Sequence, residues 1–111
     1  KLGRDDEAIA SLAAMVAAEP GNVDLKSAYG WFSFRERCRP ADGLRAVDAG
    51  VLLDPKSADL HYLRAELKGQ LGDAAGALAS IREAAAIEPE SAFFKRQVRR
   101  FAAAAGGAGG A

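Results

Sequence analysis

The chain lacks most of the residues from which metal and disulfide sites are built. Its 111 residues include one cysteine, Cys38, and one histidine, His61. A single cysteine excludes an internal disulfide and a zinc site made of several thiolates. Threonine is absent, and valine and isoleucine are few, which disfavours a β-sheet. The composition therefore excludes a disulfide scaffold and leaves little for metal or acid–base chemistry.

The sequence also lacks a net charge and a long apolar run. Fifteen Lys and Arg balance fifteen Asp and Glu, which disfavours a nucleic-acid binder that relies on a general positive field. No apolar stretch approaches the roughly 20 residues of a transmembrane helix. An acidic cluster at Asp5 to Glu7 lies where a signal peptide would have its apolar core. We therefore expect no nucleic-acid partner, no membrane partner and, by default, a cytoplasmic location.

Alanine is abundant instead. The chain has 26 alanines, with runs at 84–86 and 102–105. Alanine is the best helix former because its side chain loses no entropy on burial. Its small size also lets helices approach closely. Because 111 residues suffice for one core only, the composition predicts a single all-α domain.

An internal repeat organises the sequence. Similar phrases end in Glu19-Pro20, Asp54-Pro55 and Glu88-Pro89, with spacings of 35 and 34 residues. Twelve residues before each of these prolines lies a very small residue, and aliphatic residues follow it directly and four positions later. The small residues are Ala8, Gly43 and Ala77. Small side chains permit a close helix crossing, and proline cannot continue a helix, so the period predicts stacked helix pairs.

Two phrases resemble the second half of a tetratricopeptide repeat. They are Leu-Gly-Arg-Asp-Asp-Glu-Ala-Ile-Ala-Ser-Leu from Leu2 and Leu-Gly-Asp-Ala-Ala-Gly-Ala-Leu-Ala-Ser-Ile from Leu71. The resemblance covers about residues 1–89 and implies a right-handed α-α superhelix of about six antiparallel helices. It divides the chain into a half repeat at 1–20, repeats at 21–55 and 56–89, a capping helix at 90–105 and a flexible Gly/Ala tail at 106–111.

Apolar periodicity places the individual helices. It predicts helices at 5–18, 23–37, 41–53, 57–70 and 91–104, and a further helix that runs from its N-cap Asp73 to Ile87. The sequence starts in mid-repeat and without methionine, so we expect a fragment of a larger protein. The first helix then lacks its usual neighbour. Its apolar stripe of Ile9, Leu12 and Val16 is either covered by a missing helix or pairs with a second copy of the chain.

The resemblance also implies a binding surface. In tetratricopeptide arrays the first helices of successive pairs line a concave groove that binds extended peptides or partner helices. Here the groove residues would be Ser27, Trp31, Phe34, Arg35, Tyr62, Glu66, Gln70, Phe93, Arg96 and Arg100. Trp31 either faces a ligand, as tryptophan often does in interface hot spots, or fills the space between adjacent pairs. Arg96, Arg99 and Arg100 are either a solvated cap or a means of capturing an acidic partner segment.

No catalytic motif is visible in the sequence. It contains no Gly-x-Ser-x-Gly and no Gly-x4-Gly-Lys phosphate loop. We interpret His61 as a partly exposed helix residue. We interpret Cys38 as a small turn residue, with a reactive or metal-binding thiol as the alternative, and we expect Arg37 and Arg39 to lower its pKa somewhat.

These observations predict a non-catalytic protein–protein interaction module, with a protein or peptide partner and without a cofactor or metal. Three alternatives remain. The chain could be an accessory repeat domain of a multidomain enzyme, a self-associating assembly scaffold, or an RNA-binding helical repeat, which the neutral charge disfavours. Some tetratricopeptide domains bind the C-terminal carboxylates of chaperones through a set of Lys, Arg and Asn residues. The predicted groove does not contain that set, so we do not predict this activity.

Overall fold

A computed structural model describes residues 2–110 and contains six α-helices and no strand in that range. The helices are α1 (Leu2–Ala18), α2 (Val23–Glu36), α3 (Pro40–Leu53), α4 (Ala58–Gln70), α5 (Ala74–Ile87) and α6 (Ala92–Gly110). α2 packs against α3, and α4 packs against α5, so that each pair forms an antiparallel hairpin. α1 packs on α2, and α6 packs on α5. The predicted all-α stack of helix pairs is confirmed.

Side-chain caps start four of the helices. Asn22, Ser57, Asp73 and Ser91 each accept a hydrogen bond from the backbone N–H three residues ahead, at 2.9 to 3.2 Å. Each bond satisfies one of the free N–H groups in the first turn of α2, α4, α5 or α6. α3 has no such cap and begins at Pro40, where the missing N–H of proline costs no helix bond. The N-cap predicted at Asp73 is confirmed.

The small residues of the repeat lie at helix crossings. Gly43 and Ala77 are buried, and Ala8 is half-buried. A Cβ atom added to Gly43 would lie 2.5 Å from the Cβ atom of Ser33. Real Cβ atoms essentially never come so close to another heavy atom. α2 and α3 therefore pack together at a distance that requires glycine at this point.

α4 joins two apolar clusters. Its leucines pack with residues of α2 and α3, in a cluster centred on Val47, Val51, Leu60, Leu63 and Leu67. Its alanines pack with residues of α5 and α6, in a cluster centred on Ala58, Ala65, Ala77, Ile81, Ala84, Phe94 and Phe101. The result is a slab of 40 × 30 × 19 Å in which α4 is the shared layer.

The turn between α2 and α3 differs from the prediction. α2 ends at Glu36, and the two residues in the left-handed region are Arg37 (φ 51°) and Arg39 (φ 50°). The sequence predicted helix up to 37 and a turn at Cys38. In the next hairpin a glycine, Gly72, has the left-handed conformation with φ 86°. Arginine takes this conformation at a cost that glycine avoids.

The C-terminal helix is longer than predicted. α6 continues to Gly110, beyond the predicted end at 104 and through most of the segment 106–111 that was predicted to be a flexible tail. Ala111 lies outside the described residues. The alanines at 102–105 favour the helix, and no proline follows them to stop it.

Candidate functional site

α2, α4 and α6 form one face of the molecule. α4 packs beside α2, and Tyr62 of α4 contacts Phe93 and Phe94 of α6. A cleft of about 640 Å³ opens on this face. We call it the groove; its lining residues are Phe34, Arg37, Tyr62, Glu66, Gly69, Gln70, Gly72, Ala74, Ala77, Gln97, Arg100, Phe101 and Ala104. Its volume is in the range of ordinary ligand-binding clefts.

An aromatic cluster connects the three helices at one end of the groove. It consists of Trp31, Phe34, Tyr62, Phe93 and Phe94, with neighbouring ring centroids 5.2 to 6.1 Å apart. Three of the five ring pairs are edge-to-face, which is a favoured geometry for aromatic rings, and the other two are tilted. Phe94 is buried, whereas Phe93 is 41% exposed. Phe93 is therefore the member that offers the most ring surface to a ligand.

A polar network lies beside the aromatic cluster. Tyr62 donates its hydroxyl hydrogen to Glu66 Oε2 at 2.6 Å, and Arg100 Nη2 donates to the same oxygen at 2.5 Å. Glu66 is nearly buried, so these two donors stabilise its carboxylate. Burial, followed by the hydrogen bond to Glu66, raises the pKa of Tyr62 above its ordinary value of 10.0. The Tyr62 hydroxyl therefore stays protonated and keeps donating to Glu66, and the separate bond from Arg100 to Glu66 ties α6 to α4.

Gln70 ties α4 to α2. Its Nε2 donates to the backbone carbonyl of Phe34 at 2.8 Å, near the end of α2. This carbonyl lies in the last turn of α2, where it also accepts from the backbone N–H of Arg37 at 3.4 Å, so Gln70 adds a second donor at the helix end. The bond holds α4 against the end of α2, where both residues line the groove.

Among the comparisons with known proteins, those with solved structures find matches, and these matches agree on the fold. No family model matches the chain, and no curated protein matches it. Among solved structures, the first tetratricopeptide domain of Spaghetti (RPAP3), bound to the HSP90 peptide SRMEEVD, matches with a TM-score of 0.78 at 21% identity, over 94% of this chain and 82% of that one. MamA matches with a TM-score of 0.82 at 21% identity, over 94% of this chain and 60% of that one. PcrH in complex with the chaperone binding region of PopD matches with a TM-score of 0.70 at 20% identity, over 92% of this chain and 76% of that one. The chain has the fold of a tetratricopeptide repeat domain.

In this tetratricopeptide fold, the structure brings together seven of the ten predicted groove residues. Five line the groove, namely Phe34, Tyr62, Glu66, Gln70 and Arg100. Trp31 and Phe93 belong to the aromatic cluster at its end. Ser27, Arg35 and Arg96 do not line the groove. Trp31 is half-buried and packs on the α3–α4 leucine and valine cluster, and its role toward a ligand stays a prediction.

Several lining residues were not predicted. Arg37 enters the groove because its left-handed backbone ends α2, and the sequence placed the turn one residue later. Gln97, Phe101 and Ala104 lie four and three residues apart on α6, which places them on one face of the helix. Phe101 also contributes to the buried cluster that α4 shares with α5 and α6.

The predicted self-association stripe is partly wrong. Ile9 is completely buried within the chain, so it cannot contact a second copy. Leu12 and Val16 are half-buried, and their neighbour Met15 is 44% exposed. α1 packs on α2 in the structure, and this packing accompanies the complete burial of Ile9.

His61 and Cys38 lie away from the groove. His61 is buried, not partly exposed as predicted, and its Nε2 lies 2.9 Å from the carbonyl oxygen of Pro55. The pKa of Cys38 is raised above 9.0, first by burial and then by the negative charge of Asp6, which contradicts the predicted lowering by the arginines. The part of the chain that the structure describes, residues 2–110, has no cluster of three or more metal-ligating side chains. Within the same range, none of the helices is both long and apolar enough to cross a bilayer.

Proposed function

We propose that the chain is a non-catalytic interaction module that binds a peptide or a partner helix in the groove. One observation carries the proposal. Three helices that are distant in sequence each contribute to a single cleft, with aromatic side chains at one end and hydrogen-bonding side chains along its walls. Aromatic residues and arginine in a concave surface are typical of the energetically important part of protein interfaces.

The structural neighbours support this proposal. The RPAP3 domain was solved with a bound HSP90 peptide, and PcrH was solved with a region of PopD. This chain covers 82% and 76% of those two chains. A fold that holds peptides in two other proteins is a suitable scaffold for the same task here.

Phe93 gives the proposal a direct test. Peptides are first selected from a displayed random library against the purified chain. Their affinity for the parent chain and for the Phe93→Ala variant is then measured. Because Phe93 is 41% exposed and packs against Tyr62, its loss should weaken binding about tenfold or more while the fold is retained.

Leu52→Ala is the matched control. Leu52 is 85% exposed on α3, so its truncation removes accessible apolar surface outside the groove. Its binding should equal that of the parent chain. Equal binding by Phe93→Ala, or a loss confined to Leu52→Ala, would place the binding surface elsewhere.

A further inference from the structure

A second cavity lies between α4 and α5, outside the groove. We call it the α4–α5 cavity; its volume is about 350 Å³ and its lining residues are His61, Arg64, Lys68, Ala79, Ser80 and Glu83. This volume is in the range of small-ligand clefts. The three α4 residues are spaced by three and four positions, so they lie on one face of that helix. Among the described residues, none lines both the groove and the α4–α5 cavity.

Two of the lining side chains are polar and almost completely buried. His61 is 5% exposed and Ser80 is 4% exposed. Buried polar atoms normally have hydrogen-bond partners, because they lose their bonds to water on folding. Within residues 2–110, however, His61 Nδ1 and Arg64 Nε are buried and make no hydrogen bond. The residues of the α4–α5 cavity therefore have hydrogen-bonding capacity that the described part of the chain does not use.

The unused nitrogen of His61 is a hydrogen-bond acceptor. The other ring nitrogen, Nε2, lies 2.9 Å from the carbonyl oxygen of Pro55. Because a carbonyl oxygen only accepts, the ring proton is on Nε2. In a neutral imidazole with this proton, Nδ1 has a lone pair and no hydrogen. A ligand that satisfies Nδ1 must therefore supply a hydrogen-bond donor.

The two cations of the α4–α5 cavity favour a ligand that is also negatively charged. Lys68 is half-buried and makes no ion pair within residues 2–110. Arg64 Nε lies 3.0 Å from Asp48 Oδ1, but the two atoms are not aligned for a hydrogen bond. Glu83 supplies one carboxylate to the lining. A carboxylate repels a fully ionised ligand and accepts from a protonated one, so the lining favours an anion that keeps a proton.

We propose that the α4–α5 cavity binds inorganic phosphate in the form of hydrogen phosphate. The ionised oxygens accept hydrogen bonds from Lys68, Arg64 and Ser80. The P–OH group donates to His61 Nδ1. Near neutral pH, hydrogen phosphate has both negative charge and a hydrogen to donate, whereas sulfate has the charge without the hydrogen. This inference concerns a different surface from the groove and does not depend on peptide binding there.

His61 provides the first test, because it is the single histidine of the chain and its ring signals are unambiguous. A long-range proton–nitrogen NMR spectrum of the nitrogen-labelled chain reports which ring nitrogen carries the proton. Without phosphate, we expect the proton on Nε2. Adding inorganic phosphate at neutral pH and constant ionic strength should shift the Nδ1 signal until it saturates. A proton on Nδ1 in the free chain, or ring signals that phosphate does not change, would overturn the proposal.

Two other anions test the need for a donated proton. At the same pH and ionic strength, sulfate should bind about tenfold more weakly than phosphate, since it cannot donate to Nδ1. Glycerol phosphate should also bind more weakly, because a phosphate monoester has lost most of its second proton at neutral pH. Equal binding of sulfate would show a general attraction to the cations, and tighter binding of the ester would assign the site to a phosphorylated molecule. Either result would contradict the proposal.

Variants on both helices test the location of the site. Lys68→Gln and Ser80→Ala each remove one donor, so each should weaken phosphate binding about tenfold. Ser80→Ala removes one oxygen atom and favours the helix, so the fold should be retained. Lys95→Gln is the control for Lys68→Gln, because Lys95 is exposed on α6 and lines neither the groove nor the α4–α5 cavity. Equal phosphate affinity of these two lysine variants would show that the ion binds elsewhere.

Discussion

Individual glycines set the distance between helices in this chain. A Cβ atom on Gly30 would clash with the side chain of Val47 and lie 2.9 Å from Leu63 Cδ2. Both neighbours are completely buried and cannot move aside freely. The sequence predicted Gly43 as a crossing residue from the repeat. Gly30 on α2 is also a close-packing position, but it is not one of the small residues that the repeat identified.

Gly30→Ala should destabilise the fold. The added methyl group must displace Val47 or Leu63, and such overpacking costs about 1–3 kcal/mol, more than alanine's better helix propensity returns. Chemical denaturation of the parent and the variant measures the difference. Gly69→Ala is the control, because its Cβ atom would meet Phe101 at an ordinary 3.6 Å, and it should leave stability unchanged or raise it. A Gly30→Ala variant as stable as Gly69→Ala would contradict the close crossing of α2 and α3.

The helices themselves were largely predictable from local signals. Apolar periodicity, prolines and the N-cap at Asp73 identified all six, because each signal acts within one or two turns. The end of α6 was not predictable in this way. Glycines after the alanine run suggested a flexible tail, whereas the structure continues the helix to Gly110. The burial of Ile9 and His61 was also missed, since burial depends on neighbouring helices that the local pattern does not include.

Ala77→Leu tests the predicted role of small residues within a helix. Ala77 is completely buried on α5, in the cluster between α4 and α6. Three extra carbon atoms there should destabilise the chain by about 1–3 kcal/mol through overpacking. The midpoint of denaturant unfolding measures this change. Ala79→Leu on the same helix is exposed and should be close to neutral, so equal stability of the two variants would show that Ala77 is not a packing position.

At the scale of the whole molecule, the core and the groove share α4. Leu63 and Leu67 of this helix fill the core, while Tyr62 and Glu66, one residue away from each, face the groove. One helix can supply both sets because its side chains repeat with a fixed period and so form two faces. The sequence could not place Arg37, because the left-handed conformation of this residue belongs to the turn within the α2–α3 hairpin. The local pattern therefore predicts which helices line the groove, whereas the residues contributed by the turns depend on the tertiary structure.

The most direct test of the account is to map where a selected peptide binds, by following the backbone amide signals of the labelled chain during a titration. We predict that the largest changes fall on α2, α4 and α6, around Phe34, Tyr62, Phe93 and Arg100, and that the exposed residues of α1 and α3 remain unchanged. Changes centred on Met15 and Leu52 instead, with the groove signals unaffected, would contradict the central claim that this chain binds its partner in the groove.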